Sequence, residues 1–328
     1  MFVRNILSFL SNVISISYKG VFMKKDLLKI EDLSKDEILD ILNLADQLKY
    51  ELKHGIDHPH LKGKTLGMIF EKSSTRTRVS FEAGMYQLGG YPLFLSSSDL
   101  QIGRGEPIQD TARVLSRYLN GIMIRTFEQS EVQALAECSD IPIINGLTDD
   151  EHPCQVLADL MTIRENKNIL DNLKVAYIGD GNNMAQSLTV GCLTVGMNIS
   201  LAIPNKYMMK KYYIDKGIEI SKDNNLSFNI VNDPKEAIKD ADVVITDVWA
   251  SMGKENEVKE RIESFKGYQV NSEIMKLAKD DAIVLHCLPA HREEEITDEI
   301  LELHADTIFE EAENRLHVQK AILVKLLK

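Results

Sequence analysis

The chain has 328 residues, enough for two hydrophobic cores, and its 44% hydrophobic and 27% charged residues are ordinary for a globular protein. A formal net charge of -12 argues against broad binding to nucleic acid or anionic membranes, and no apolar run reaches the roughly 18 residues of a membrane helix. The four cysteines, Cys138, Cys154, Cys192 and Cys287, form no CxxC pair, so neither a zinc site nor a disulfide framework is indicated; free thiols in a reducing cytoplasm are expected.

Residues 1–22 are rich in Ser, lack acidic residues and carry only Arg4 and Lys19 as charges. This resembles a transit peptide or a signal-sequence core, but no clean cleavage site follows. The plainer reading is an upstream start, with Met23 beginning the folded chain. Ser34 and Glu37 form a capping-box pattern ahead of a helix to Lys53, with Ile38, Ile41, Leu42, Ala45 and Leu48 on its apolar face. Leu66 to Phe70 reads as a buried strand. It leads into Ser73-Ser74-Thr75-Arg76-Thr77-Arg78 and then a helix with Val79, Ala83 and Tyr86 on one face. Hydroxyls and guanidinium groups at a strand-to-helix turn, beside unpaired N–H groups, make an anion site.

A strand at 91–95 precedes a polar stretch, 96–106, that reads as a mobile loop. A helix at 108–118, a strand at 122–124 ending at Arg125, a helix at 128–137 and a strand at 141–144 complete an alternating β/α run. A long helix from His152 to about Glu165 bridges to a second alternating unit. Its strands are expected at 175–178, 199–203, 226–231, 243–246, 283–286 and 307–309, with a closing helix over 314–327. The order points to an α/β protein of two doubly wound parallel-sheet domains with a cleft between them. Polar clusters fall at the carboxyl ends of these strands, where such sheets bind ligands.

Gly179-Asp180-Gly181-Asn182-Asn183 follows a strand, but the third glycine of a dinucleotide fingerprint is missing because position 184 is Met. His152 and Gln155 share one face at a helix start and, with Arg125, can donate to one carbonyl oxygen, or they cap locally. Asp247 at a strand end can pair with an ammonium group or cap the next helix. Trp249 reads as a packing residue. Cys287 lies between His286 and His291, but neighbours on a strand face opposite ways, so His286 is badly placed as its base.

Ser-Thr-Arg-Thr-Arg at 74–78, His-Pro-Cys-Gln at 152–155, Asp-x-x-x-Ser-Met-Gly at 247–253 and His-Cys-Leu-Pro at 286–289 together resemble the carbamoyltransferase family, most closely its ornithine-using branch. The resemblance covers about residues 24–328 and excludes 1–22. It implies transfer of a carbamoyl group from carbamoyl phosphate to the side-chain amine of L-ornithine, giving L-citrulline and phosphate, in arginine synthesis or breakdown. It implies that Ser74, Thr75, Arg76 and Thr77 bind the phosphate, and that Arg125, His152 and Gln155 hold the carbamoyl group. Gln101, Cys287, Leu288 and Arg315 complete that site. Asn183, Asp247, Ser251 and Met252 match the positions that bind ornithine, with Cys287 placed to help take the proton of the reacting amine. Residues 23–155 would form the carbamoyl-phosphate domain, joined by the helix at 314–328, and 156–313 the ornithine domain. A homotrimer or a multiple of it is implied, with sites shared between subunits. No cofactor or metal is called for. An aspartate-using relative would need further cations near 247–253, and a putrescine-using one would not keep Ser251-Met252-Gly253.

Overall fold

The computed structural model describes residues 25–251, 253 and 255–328. The two readings of residues 1–22 and the assignment of Met252 fall outside the described residues. The capping box forms: Ser34 Oγ accepts from Glu37 N at 3.3 Å while Glu37 Oε2 accepts from Ser34 N at 2.9 Å. It starts α1 (Lys35–Lys53), whose buried residues include the five apolar positions predicted.

The first half builds a four-stranded sheet from β1 (Thr65–Phe70), β2 (Tyr91–Ser96), β3 (Gly121–Arg125) and β4 (Ile143–Leu147), in the order β2-β1-β3-β4. Between these strands run α2 (Thr75–Gln87), α3 (Ile108–Leu115) and α4 (Gln129–Glu137), and α5 (Pro153–Lys167) follows β4. The second half builds a five-stranded sheet from β5 (Lys174–Ile178), β6 (Asn198–Ala202), β7 (Phe228–Val231), β8 (Val243–Thr246) and β9 (Ile283–His286), ordered β7-β6-β5-β8-β9. Its longer helices are α6 (Asn183–Val195) and α7 (Lys211–Asp223), and α8 (Ala305–Leu327) closes the chain. All pairings in both sheets are parallel. Each parallel pair needs a crossover, and these helices supply most of them.

Register decides where the chemistry sits. Phe70 pairs with Arg125, Ile178 with Thr246, and Thr246 with His286, so the segments that follow these strands leave each sheet at one level. One continuous core runs from Leu66 and Met68 of β1 through Leu157 and Leu160 of α5 to Val175 and Tyr177 of β5. Pro153 to Ile163 are all buried, so α5 is enclosed on every side up to its last turn. The last helix packs on α1, α2, α5 and β9.

Three expectations are corrected. The buried face of α2 is Thr77, Phe81, Gly84 and Met85, whereas Val79 and Tyr86 are 57% and 78% exposed. Residues 307–309 form no strand, because they lie in α8, which begins nine residues before the expected start at 314. The polar pattern of Glu310, Glu311 and Glu313 hid that helical turn: Glu311 is buried in the site rather than solvated. Trp249 packs as expected, its ring stacked 5.6 Å from Phe265.

Gly181 explains the glycine turn without a nucleotide. A Cβ there would lie 2.4 Å from both Tyr207 O and Met209 N, so backbone, not phosphate, makes the close approach. Backbone atoms cannot rotate away as a side chain can. Gly181→Ala is expected to cost about 1–3 kcal/mol, read as a lower thermal midpoint than that of the unsubstituted protein; an equal midpoint would show that the turn yields freely.

Candidate active site

Ser74 is the N-cap of α2, in extended conformation, and its Oγ accepts from Thr77 N at 3.1 Å. Serine suits this position because its short side chain reaches back to the first turn. The first-turn N–H groups and the positive end of the helix therefore meet the β1 end of the cleft. Thr77 is buried, and its Oγ1 accepts from Arg125 Nη1 at 3.5 Å and Arg315 Nη2 at 3.2 Å. Arg76 is half-buried and close enough to lower the proton affinity of both guanidinium groups. Arg78 turns away, bonding Glu82 at 3.1 Å and lying over the Phe94 ring.

Arg125 comes from the end of β3 and Arg315 from the middle of α8. Burial and then the charges of Arg315 and Arg76 bring Arg125 down to about 10, still cationic at neutral pH. Among the described residues neither Arg125, Arg315 nor Arg76 forms an ion pair with a carboxylate, and the Nε atoms of Arg125 and Arg315 are buried without partners. Three cations gathered in this way form a pocket poised for an anion.

His152 is the N-cap of α5, held by donation from its backbone N–H to Ser187 Oγ at 2.9 Å. Burial and the neighbouring Arg315, Arg125 and Arg76 hold its pKa well below the usual histidine value, so it is a neutral imidazole near pH 7. Its Nδ1 is buried and unpartnered. Gln155, one turn on, accepts from Arg315 Nη1 through Oε1 and donates through Nε2 to Asp159 and Glu311.

The second sheet contributes Cys287 just beyond β9, whose Sγ donates to Asp247 Oδ1 at 3.2 Å. Burial, then Asp247 and Glu311, push the thiol well above its ordinary range. Cys287 is also within electrostatic reach of Arg125 and Arg315, which brings the two strand-end clusters into one site. Leu288 has left-handed backbone (φ 54), and its N–H donates to His286 Nδ1 at 2.9 Å. His286 in turn meets Glu295 at 3.0 Å. Contrary to the strand-face expectation, one of its ring nitrogens lies within 4.8 Å of Cys287 Sγ, but both nitrogens are already engaged, by Glu295 and by the Leu288 N–H.

Asp247 Oδ2 accepts from Asn182 Nδ2 at 2.8 Å, and the same amide reaches Ser251 Oγ at 3.5 Å. Asn183 donates to Thr148 O at 2.7 Å, from the second half to the first. Gln101 stands apart: it is exposed, and its carbonyl accepts from Arg104 and Glu106 within its own loop. Sequence reasoning missed Asn182, the N-cap of α6, because the adjacent Asn183 fitted the pattern equally well. It also missed Arg261, which donates to Asp180 at 2.7 Å and to Trp249 O at 2.7 Å and so ties down the start of the 247–253 loop. Asp159 and Glu311 were missed too. The first lies one helical turn beyond Gln155, the second one turn before Arg315, and that spacing was the available signal.

The family model for the carbamoyl-P binding domain of aspartate/ornithine carbamoyltransferases matches residues 25–165, and that for their Asp/Orn binding domain matches 171–326. The ornithine carbamoyltransferase of Caldicellulosiruptor saccharolyticus is 56% identical over 297 residues, covering 90% of this chain and 96% of its own. That of Bacillus subtilis is 55% identical over 307 residues, covering 92% and 94%. The solved ornithine carbamoyltransferase of Pyrococcus furiosus superposes with a TM-score of 0.89 at 47% identity, covering 93% of this chain and 97% of its own. With both domain models matched in order and this identity over nearly the whole chain, the protein belongs to the aspartate/ornithine carbamoyltransferase family.

Proposed function

We propose that the protein transfers the carbamoyl group of carbamoyl phosphate to the side-chain amine of L-ornithine, releasing L-citrulline and phosphate. The observation that carries this reading is the meeting of an unpaired cluster, Arg76, Arg125 and Arg315, with the Asp247–Cys287 pair across one cleft. The relatives named ornithine carbamoyltransferase, at 51–56% identity, support the acceptor. Residues 23–155 with the end of α8 form the carbamoyl-phosphate half in this reading, and 156–313 the ornithine half.

The phosphate sits on the hydroxyls and N–H groups of Ser74, Thr75 and Thr77 with Arg76 and Arg315 around it. The carbonyl oxygen faces Arg125 and His152. Attack by the amine makes this oxygen an oxyanion, and two preorganised donors stabilise it before phosphate departs. A neutral His152 serves as an N–H donor and has no proton to lose near pH 7. Gln155 and Leu288 border the carbamoyl amide. Asp247 pairs with the α-amino group of ornithine, beside Asn183, Ser251 and Met252.

The attacking amine must shed a proton, since an alkyl ammonium has a pKa of roughly 10.4. Cys287 starts as a thiol that points at Asp247, so it takes that proton only as its own passes to the carboxylate. The pair acts as a relay.

The family's trimer is the assembly we favour. Val79 and Tyr86 on α2 and Tyr91 and Phe94 on the edge strand β2 are exposed apolar residues on adjoining elements, and Gln101 follows β2. An edge strand of this kind is covered in stable proteins. Gln101 then reaches a neighbouring subunit's phosphate pocket. A cytoplasmic setting fits the four free thiols; no described helix is long and apolar enough to cross a membrane.

Incubation with carbamoyl phosphate and ornithine, aspartate or putrescine tests the reaction: citrulline is the expected product, and carbamoylation of aspartate or putrescine instead would overturn the acceptor. Arg125→Met is expected to lower kcat by about 10²–10³-fold, as loss of an oxyanion donor does; unchanged turnover would remove Arg125 from the mechanism. Cys287→Ala is expected to lower turnover and move the rising limb of the pH–kcat profile upward. An identical profile would exclude the relay. Sedimentation should give three times the 37.1 kDa chain mass, or a multiple of that trimer; a monomer at micromolar concentration would contradict the shared site.

A further inference from the structure

Behind the carbamoyl pocket lies a buried arrangement that the proposed chemistry does not itself use. Gln155 Nε2 donates to Asp159 Oδ1 at 2.8 Å and to Glu311 Oε1 at 2.7 Å, and Glu311 Oε2 accepts from the backbone N–H of His286 at 2.8 Å. Gln155, Asp159 and Glu311 are all 1% exposed or less. Two carboxyl groups on one amide, far from water, are costly to bury, and the hydrogen bonds they make offset only part of that cost.

An amide oxygen and nitrogen are told apart by their partners. Here the partners are unambiguous. Arg315 can only donate, so the amide end it meets is the oxygen. Asp159 and Glu311 offer four oxygens that share a proton, and the two meeting Gln155 accept. Burial brings Asp159 up to about 7, and burial with the charge of Asp159 beside it holds Glu311 well above the usual range, so the pair holds a proton near neutrality without a net charge of two. Gln155 Oε1 is thereby aimed into the pocket. A carbonyl oxygen has two lone pairs, and Arg315 occupies one.

We propose that Asp159 and Glu311 are positioning residues that fix the polarity of the Gln155 carboxamide, and so set the preference for a carbamoyl donor over an acetyl donor. The inference rests on the reading that carbamoyl phosphate binds here. The open lone pair of Gln155 accepts from the carbamoyl NH₂, a group that acetyl phosphate replaces with a methyl of similar size. A flipped amide would set its own NH₂ against that NH₂ and against Arg315.

Glu311→Gln is the test. One carboxylate serves two donors, Gln155 Nε2 and His286 N, but an amide has only one accepting end. The variant must therefore lose one of them. The ratio of the inhibition constant of acetyl phosphate to the dissociation constant of carbamoyl phosphate is expected to fall about three- to tenfold, the worth of one hydrogen bond. A merely structural role weakens both ligands together; a ratio unmoved in both Glu311→Gln and Asp159→Leu would overturn the inference. If Glu311→Gln does not fold, Asp159→Leu, which deletes one of the two acceptors, carries the same reading: a lower ratio supports the inference and an equal ratio overturns it. Wild-type citrulline formation in the same assay separates the two levels. Without it the reading of the site fails; with it and an unmoved ratio, only the role of Asp159 and Glu311 fails.

Discussion

Three guanidinium groups held close together in a buried pocket repel one another, and the arrangement lasts only where packing imposes it and an anion relieves it. Arg76, Arg125 and Arg315 are in that position, and much of the architecture serves to keep them there. They come from a helix start, a strand end and the middle of the last helix. No local segment brings them together. Burial and the same three charges keep His152 neutral, so one field both favours an anion and fixes the protonation state of the neighbouring imidazole.

The last helix is the member that imposes this. Arg315 donates to Thr77 at the turn that follows β1 of the first sheet, while Glu311, one turn earlier, accepts from His286 at the end of the second. Asn314, between them, donates to Thr162 Oγ1 of α5 at 2.9 Å, and Lys49 of α1 bonds Asn314 at 2.8 Å. Further along, Lys320 is buried against His58 and Gln87, and burial lowers its pKa to about 8. These buried polar bonds cost desolvation, and they fix the angle at which α8 meets α1, α2 and α5. The two half-sites are therefore set by one helix as much as by the two sheets.

The fold was largely legible in the sequence. Runs such as Val243–Thr246 and Ile283–His286 are short, apolar and bounded by polar clusters, and they form strands at those residues. The errors have different causes. Val79 and Tyr86 look like a core face, yet both are exposed, because spacing alone does not say which apolar face of a helix meets the core. Thr307–Phe309 looks like a strand because three residues carry too little periodicity to separate the two structures, and only the packing of α8 decides. The clusters at strand ends were legible because parallel sheets present ligands there. Asp159 and Glu311 were not, because a buried carboxyl looks like any solvated one until its neighbours are known.

The central claim is that the arginine cradle and the Asp247–Cys287 pair are the two halves of one bisubstrate site. A crystal structure with carbamoyl phosphate and L-norvaline, an acceptor that lacks the reactive amine, tests it most directly. The phosphate is expected on the Ser74–Thr77 turn, the carbonyl oxygen between Arg125 and His152, and the α-amino group on Asp247, with the norvaline side chain directed at the carbamoyl carbon. Carbamoyl phosphate bound away from Arg125, or norvaline bound with its α-amino group away from Asp247, would contradict it.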